Sequence, residues 1–417
     1  MQAYRPRVAD AELRHLMGFM GAVLIDGPKA VGKTVTASQM ARTTFRLDTD
    51  RAALAALETH PDQLFASPTP ILFDEWQEAQ EIWNHVRRAV DDHREKGLYV
   101  LTGSSRPRDN ARLHSGAGRI GHLRMRPMSL FESGHSSGAV SLAAILAGEE
   151  PTGAPATLTV PDLIERVVVG GWPEAMVLTE RDARAWLAGY NRTIAEVDVP
   201  ALGTRRNPGN IARLLASLGR AAGTVLNRSQ VAVDVGGQNG PIDDQTVVNY
   251  LDALDRLMLI EPLPAWQPHL RSRTRLRTSP VHHFVDPSLG TAALGVGSAD
   301  LLADLNAAGL HFESLVMRDL RVYSQPLGAT LSSWRDTKEN KEVDAVIDLP
   351  EGRWAAVEVK LGEAQADAAA EALLYMADKV DPEKHGRPVA LIAITGGRFA
   401  YRRPDGVTVV PITALGP

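Results

Sequence analysis

The eight residues GPKAVGKT, Gly27 to Thr34, carry the most specific chemistry in this chain. They fit G-x-x-x-x-G-K-[ST], a loop whose backbone N–H groups cradle phosphate oxygens. The pattern places Gly27, Pro28, Lys29, Ala30, Val31, Gly32, Lys33, Thr34 and Val35 around the phosphates of ATP. Lys33 would reach the β- and γ-phosphates, and the Thr34 hydroxyl would ligate Mg2+. Such a loop needs a second acidic site. PILFDE, Pro70 to Glu75, supplies one at the end of an apolar run. Asp74 would hold Mg2+, and Glu75 would orient or deprotonate the attacking water. The plain alternative is a surface turn after a core strand. LYVLTGS, Leu98 to Ser104, ends in polar residues that would set Ser104 and Ser105 beside the γ-phosphate.

A second constellation lies in KEVDAVIDLPEGRWAAVEVKLG. Two strand patterns flank a Pro-Glu-Gly turn. Residues two apart on a strand share a face, so a hairpin can gather Asp344, Glu358 and Lys360 at one end. Two carboxylates there would hold Mg2+, and the lysine would polarise water or a scissile phosphate. The spacing alone is weak, since an exposed salt-bridged hairpin would give the same letters.

The elements that must position these groups are legible. GAVLID reads as a buried strand and VTASQMART as a helix, the context a phosphate loop requires. TFRLD reads as another strand. Trp76 to Gly97 reads as one helix, with Trp76, Ile82, Trp83, Val86 and Val90 on one stripe. Alternating strands and helices predict an α/β fold with a parallel sheet and helices on both faces. Ser133 to Asp162 is rich in Gly, Ser, Ala and Pro and reads as a linker or flexible excursion around a short apolar helix. GGWPEA, Gly170 to Ala175, reads as a fixed turn. Arg205 to Leu263 gives three helices and a small hairpin, the pattern of a winged-helix module. Its third helix, Asp244 to Leu257, carries Asp252 and Asp255 against Arg256, so scaffold or protein contact competes with DNA contact. Arg271, Arg273, Arg275 and Arg277 recur every second residue and would form an arginine comb on one strand face. His282 and His283 diverge on a strand and read as structural rather than as a metal pair.

The chain has 417 residues, enough for several domains, and its formal charge of −5 requires any nucleic-acid partner to meet a local basic patch. It has no cysteine, which excludes disulfides, cysteine-ligated zinc and thiol catalysis. No apolar stretch suggests a membrane span, and the amino terminus lacks the apolar core of a signal peptide, so a cytoplasmic location is expected.

These motifs resemble the bacterial and archaeal ATPases that join an AAA-type nucleotide domain to a DUF4143 region. The resemblance starts at RPRVAD, runs through LFDEWQ, LTGSS and GRIGHLRMRPMSLFE, and continues in GGWPEA and WRDTKENKEVD. It implies that Arg119 stabilises charge at the ATP site, in cis or across a contact in a homo-oligomer. The Asp344, Glu358, Lys360 arrangement resembles restriction-endonuclease-like folds. That likeness implies Glu313, in HFESLVMRDL, as a further acidic metal ligand and DNA or RNA as a partner. The domains expected are a nucleotide domain at 1–135, a linker and helical lid at 136–204, a winged-helix-like module at 205–265 and a nuclease-like α/β domain at 266–417. Two functions stay open: an Mg2+-dependent ATPase coupled to a nuclease, and an ATP-dependent switch or binding regulator on an inactive nuclease-like scaffold.

Overall fold

The computed structural model describes residues 4–104, 115–151, 153, 155–202, 207–266 and 279–417. They form two compact units. One runs to Arg126 and includes Arg256–Met258, and the other comprises Pro127–Asp255 and Leu259–Pro417. The arginine comb and Ser105 lie outside the described residues.

The first unit is built on five parallel strands: β1 (Ala22–Asp26), β2 (Thr43–Arg46), β3 (Ile71–Asp74), β4 (Tyr99–Gly103) and β5 (Ile120–Arg124). Their order is β2-β3-β4-β1-β5. Every residue of β3 and β4 is buried, as expected for strands covered on both faces. The strand that feeds the phosphate loop and the strand that ends in Asp74 are therefore separated by β4, whose polar end lies between them. The helices Val8–Met17, Lys33–Ser38, Arg51–Thr59 and Ile82–Asp92 flank the sheet. The helix expected over Trp76–Gly97 is instead a short 3-10 turn, Trp76–Ala79, followed by the helix Ile82–Asp92. The backbone of Glu75 is left-handed (φ 54°, ψ 49°), which blocks a helix from growing straight out of β3. The stripe still does its work: Trp76 and Trp83 pack with ring centroids 5.0 Å apart and are buried with Ile82 and Val86.

In the second unit, residues 127–135 pack with the chain that follows. The expected linker is also ordered. Val140–Ser141 (β6) pairs with the strand Leu415–Gly416, and the helix Leu142–Leu146 buries Leu142, Ile145 and Leu146. The apolar run AVSLAAIL thus forms the short apolar helix expected between Gly- and Ser-rich flanks. The helices Pro208–Arg220, Arg228–Gly236 and Asp244–Arg256 follow, with a small sheet of β7 (Thr224–Val225) and β8 (Val281–His282). Bridges Ile260–Phe284 and Leu263–Val281 extend that sheet. The three expected helices are present, but the expected hairpin after them is not: β7 precedes the second helix and pairs with β8, beyond Leu263.

The C-terminal sheet has six strands: β9 (Thr330–Asp336), β10 (Lys341–Asp348), β11 (Trp354–Lys360), β12 (Ala390–Thr395), β13 (Tyr401–Arg402) and β14 (Thr408–Pro411). Their order is β13-β14-β12-β11-β10-β9, with β15 (Leu415–Gly416) outside the sheet. The β9-β10-β11 run is antiparallel, and β11-β12-β14 is parallel. The helix Ala366–Lys379 lies on it through Ala366, Ala369, Ala370, Leu373 and Met376, packed with Val346, Trp354 and Ala356. Small side chains on that face let the helix approach the sheet closely.

Buried charge holds this unit together at one point. The Arg318 guanidinium donates to Asp286 (2.9 Å) and to Asp319 (2.8 Å), all three side chains being fully buried. Asp286 also accepts from Gly171 N–H, and Asp319 accepts from Leu130 N–H. The GGWPEA turn is thus structural as expected. Gly170 has φ 75°, and a Cβ at Gly171 would stand 2.1 Å from the Met128 carbonyl oxygen.

Candidate functional site

The phosphate loop closes on itself. Gly32 takes φ 95° at the start of the helix Lys33–Ser38, a conformation that favours glycine. Lys33 Nζ donates to the carbonyls of Gly27 (3.0 Å) and Pro28 (2.9 Å). Burial lowers its pKa to about 8, against the opposing pull of Glu75 first and then Asp26 and Asp74. Behind the loop, Arg7 donates to the Val31 carbonyl (2.8 Å) and to the Arg126 carbonyl (2.7 Å).

Thr34 and Asp74, 40 residues apart, meet: Thr34 Oγ1 donates to Asp74 Oδ1 at 2.8 Å. A hydroxyl and a carboxylate side by side form the hard-oxygen pair that suits Mg2+, and these are the residues that would hold it. Asp74 also accepts from Thr102 Oγ1 on β4, and Glu75 N–H lies 3.4 Å from the same hydroxyl. Thr102 went unnoticed in the sequence, although it stands two residues before Ser104 and so shares its face of the strand. Ser104 itself is buried at the end of β4. Glu75 is held by Gln77, whose Nε2 donates to Oε2. Gln77 closes the LFDEWQ segment, but its letters gave it no role.

Arg119 is not where a cis role requires it. Strand β5 runs parallel to β1 with Ala22 opposite Ile120 and Asp26 opposite Arg124. Arg119 precedes the strand, at the end remote from the loop, roughly 13 Å or more away at about 3.3 Å per residue. It pairs there with Asp91 at 2.6 Å. The cation beside the loop is Arg124, 3.8 Å from Asp26 and near enough to oppose the Lys33 charge.

In the second unit the hairpin gathers the expected groups. Asp344 stands opposite Glu358 in the β10–β11 register. Asp344 Oδ2 accepts from Val359 N–H (2.7 Å), Glu358 Oε2 from Asp344 N–H (3.3 Å) and Glu358 Oε1 from Lys360 Nζ (2.7 Å). A bulge between Val343 and Val346 turns β10 at this point. Glu313, on the helix Leu305–Ser324, lines the same cleft as Asp344, a space of about 750 Å3 also bordered by Trp334, Arg335, Lys338 and Lys379. Burial first and then the Asp344 charge push Glu358 up to about 8, and burial pushes Asp344 up to about 6. Glu313 is pushed well above the ordinary range by burial and by Asp344 and Glu358. Carboxylates that repel one another in a buried cleft suit a divalent cation. Among the described residues, however, no three His, Asp or Glu groups already stand together as a metal centre. His283 is buried, shares a hydrogen bond with Ser314 Oγ and is kept neutral by burial.

The raised carboxylates set a pH dependence. A cation must displace their protons, so Mn2+ affinity is expected to rise between pH 6 and pH 8, by up to about tenfold per pH unit, and then level off. Calorimetric titration across that range checks it, and a flat affinity would contradict it. In the metal-free protein the sign reverses. A folded pKa above the ordinary 4.5 means that Glu358 favours the fold below that pH, a contribution lost as pH rises through about 8.

Residues 20–133 match the profile of an AAA domain, and residues 308–415 match a domain of unknown function, DUF4143. Residues 160–300 match another, DUF8612. The amino-terminal part is thus an AAA-type P-loop ATPase domain. The chain as a whole joins that domain to a C-terminal DUF4143 region. Among solved structures it is similar to the Walker-type ATPase PABY2304 of Pyrococcus abyssi, at 12% identity and a TM-score of 0.39, over 70% of this chain and 99% of that one. No curated protein matches. Among the described residues no helix is long and apolar enough to cross a membrane.

Proposed function

We propose that this chain is an Mg2+-dependent ATPase whose nucleotide domain controls a nuclease-like site acting on nucleic acid, DNA or RNA. Lys33 and the loop N–H groups bind the ATP phosphates, Thr34 and Asp74 hold Mg2+, and Glu75 accepts a proton from the attacking water. Arg119 serves across a contact in a cytoplasmic homo-oligomer, where its exposed position at the strand end is reachable. The observation that carries the nuclease reading is the meeting of Asp344, Glu358 and Lys360, with Glu313 lining one cleft beside Asp344. A divalent cation bound there would neutralise charge on a scissile phosphate. Asp344, Glu358 and Glu313 would hold it, and Lys360 would orient the water. The region 205–265 reads as a winged-helix-like module. Its third helix lines a groove with Asp244, Asp252 and Asp255, which favours scaffold or protein contact over phosphate contact.

A second reading, binding without cleavage, is favoured by one observation. Glu358 is already paired to Lys360, and strand N–H groups hold both carboxylates. The two readings part in one assay. The first expects Mg2+- or Mn2+-dependent cutting of DNA or RNA that falls on the order of a hundredfold in Asp344→Ala. No cutting by the wild type on single- or double-stranded substrates, with or without ATP, would leave the second.

A further inference from the structure

We propose that Gln77 is a positioning residue for ATP hydrolysis: its side-chain amide fixes the Glu75 carboxylate so that the second oxygen faces the attacking water. The inference rests on the reading of Glu75 as the acceptor of the water proton. Four observations lead to it. Gln77 Nε2 donates to Glu75 Oε2, which leaves Oε1 to receive a proton. Glu75 sits in a left-handed backbone conformation that costs a non-glycine residue on the order of 1 kcal/mol or more, so something about it must hold its place. Gln77 is itself anchored, because the turn Trp76–Ala79 buries Trp76 and Ala79 on either side of it. Finally, its Oε1 is buried with no partner among the described residues, and it lies against the end of β4. A Cβ at Gly103 would come within 2.9 Å of that oxygen and 2.7 Å of the Trp76 indole nitrogen. Gln77 is thus wedged between the end of β4 and the acid.

Glu75 also exerts the largest favourable influence on the Lys33 charge, ahead of Asp26 and Asp74, so its carboxylate looks toward the phosphate loop. The step it would serve is balanced. Water oxygen bonds to the γ-phosphorus, the bond from that phosphorus to the bridging oxygen of ADP breaks, and a water proton passes to Glu75 Oε1. An amide suits the task because it donates to one carboxylate oxygen without competing for the proton. A carboxylate in its place would repel Glu75 and raise its affinity for protons.

The experiment measures steady-state ATP hydrolysis against pH, and MgATP binding, for the full-length wild type, Gln77→Ala, Gln77→Glu and Glu75→Gln. Gln77→Ala is expected to lose about tenfold in kcat with the MgATP Kd unchanged. Gln77→Glu keeps the shape of the side chain but cannot donate, and is expected to be as slow as Gln77→Ala. A purely structural role would be filled by the isosteric glutamate. Wild-type kcat in both Gln77 variants, with Glu75→Gln inactive, would overturn the inference and leave the reading of Glu75 standing. Faster turnover in Gln77→Ala would also overturn it, since Gln77 would then restrain Glu75 rather than aim it. Normal hydrolysis by Glu75→Gln would remove the reading and the inference together.

Discussion

ATP turnover in Lys33→Ala is expected to fall by on the order of a hundredfold or more, with MgATP binding weakened as well. The Lys33 ammonium is buried and is bonded to two carbonyls of its own loop. Those bonds keep it at the phosphate site. Phosphate oxygens would replace the carbonyls as partners, and a desolvated ammonium interacts with them far more strongly than one in water. The pKa, lowered to about 8, still leaves the group mainly charged at neutral pH. Above about pH 8 the free protein should lose phosphate affinity as the lysine loses its proton. A titration of ATP binding checks both points. Unchanged turnover in the variant would remove the phosphate-loop assignment. The fold should survive, because truncation deletes a charge whose burial is itself costly.

How much of this was legible follows the physics of each signal. The phosphate loop and the acid pair declared themselves because strand burial and loop geometry are local. The site at Asp344, Glu358 and Lys360 was legible because a two-residue period and a short turn suffice to bring them together. The choice between a cis and a trans role for Arg119 was hidden because a motif gives spacing along the chain and not the end of the strand at which a residue stands. Only the parallel register of β5 on β1 reveals that Arg124, not Arg119, adjoins the loop. Thr102 could have been found by alternation from Ser104. Gln77 could not, since its value lies in a left-handed turn at Glu75 that no propensity foretells. The packing of the short apolar helix expected within 133–162 was hidden for a tertiary reason. Leu142, Ile145 and Leu146 find a buried face, and β6 finds a partner strand more than 270 residues later. The buried Arg318 network was invisible because its members come from Leu130, Gly171, Asp286 and Asp319.

That network gives the largest effect expected on stability. Arg318→Met should destabilise the second unit by about 3–5 kcal/mol, because it leaves two buried carboxylates without their cation. Burial works against the guanidinium charge, and Asp319 and Asp286 more than offset it. Burial likewise pushes the Asp319 carboxyl up, with Arg318 and the Leu130 N–H pulling against it. Without the arginine, burial would push the Asp319 carboxyl up further, with the Leu130 N–H still pulling against it. The loss should therefore shrink as pH falls, opposite to a simple cavity, whose cost is insensitive to pH. Denaturant unfolding at pH 5 and pH 8 separates the two. The variant Arg318→Met/Asp286→Asn/Asp319→Asn should recover part of the loss, since amides accept the Gly171 and Leu130 N–H bonds without carrying charge. Equal destabilisation at both pH values, with no recovery in the triple variant, would show that Arg318 acts there by volume rather than by charge.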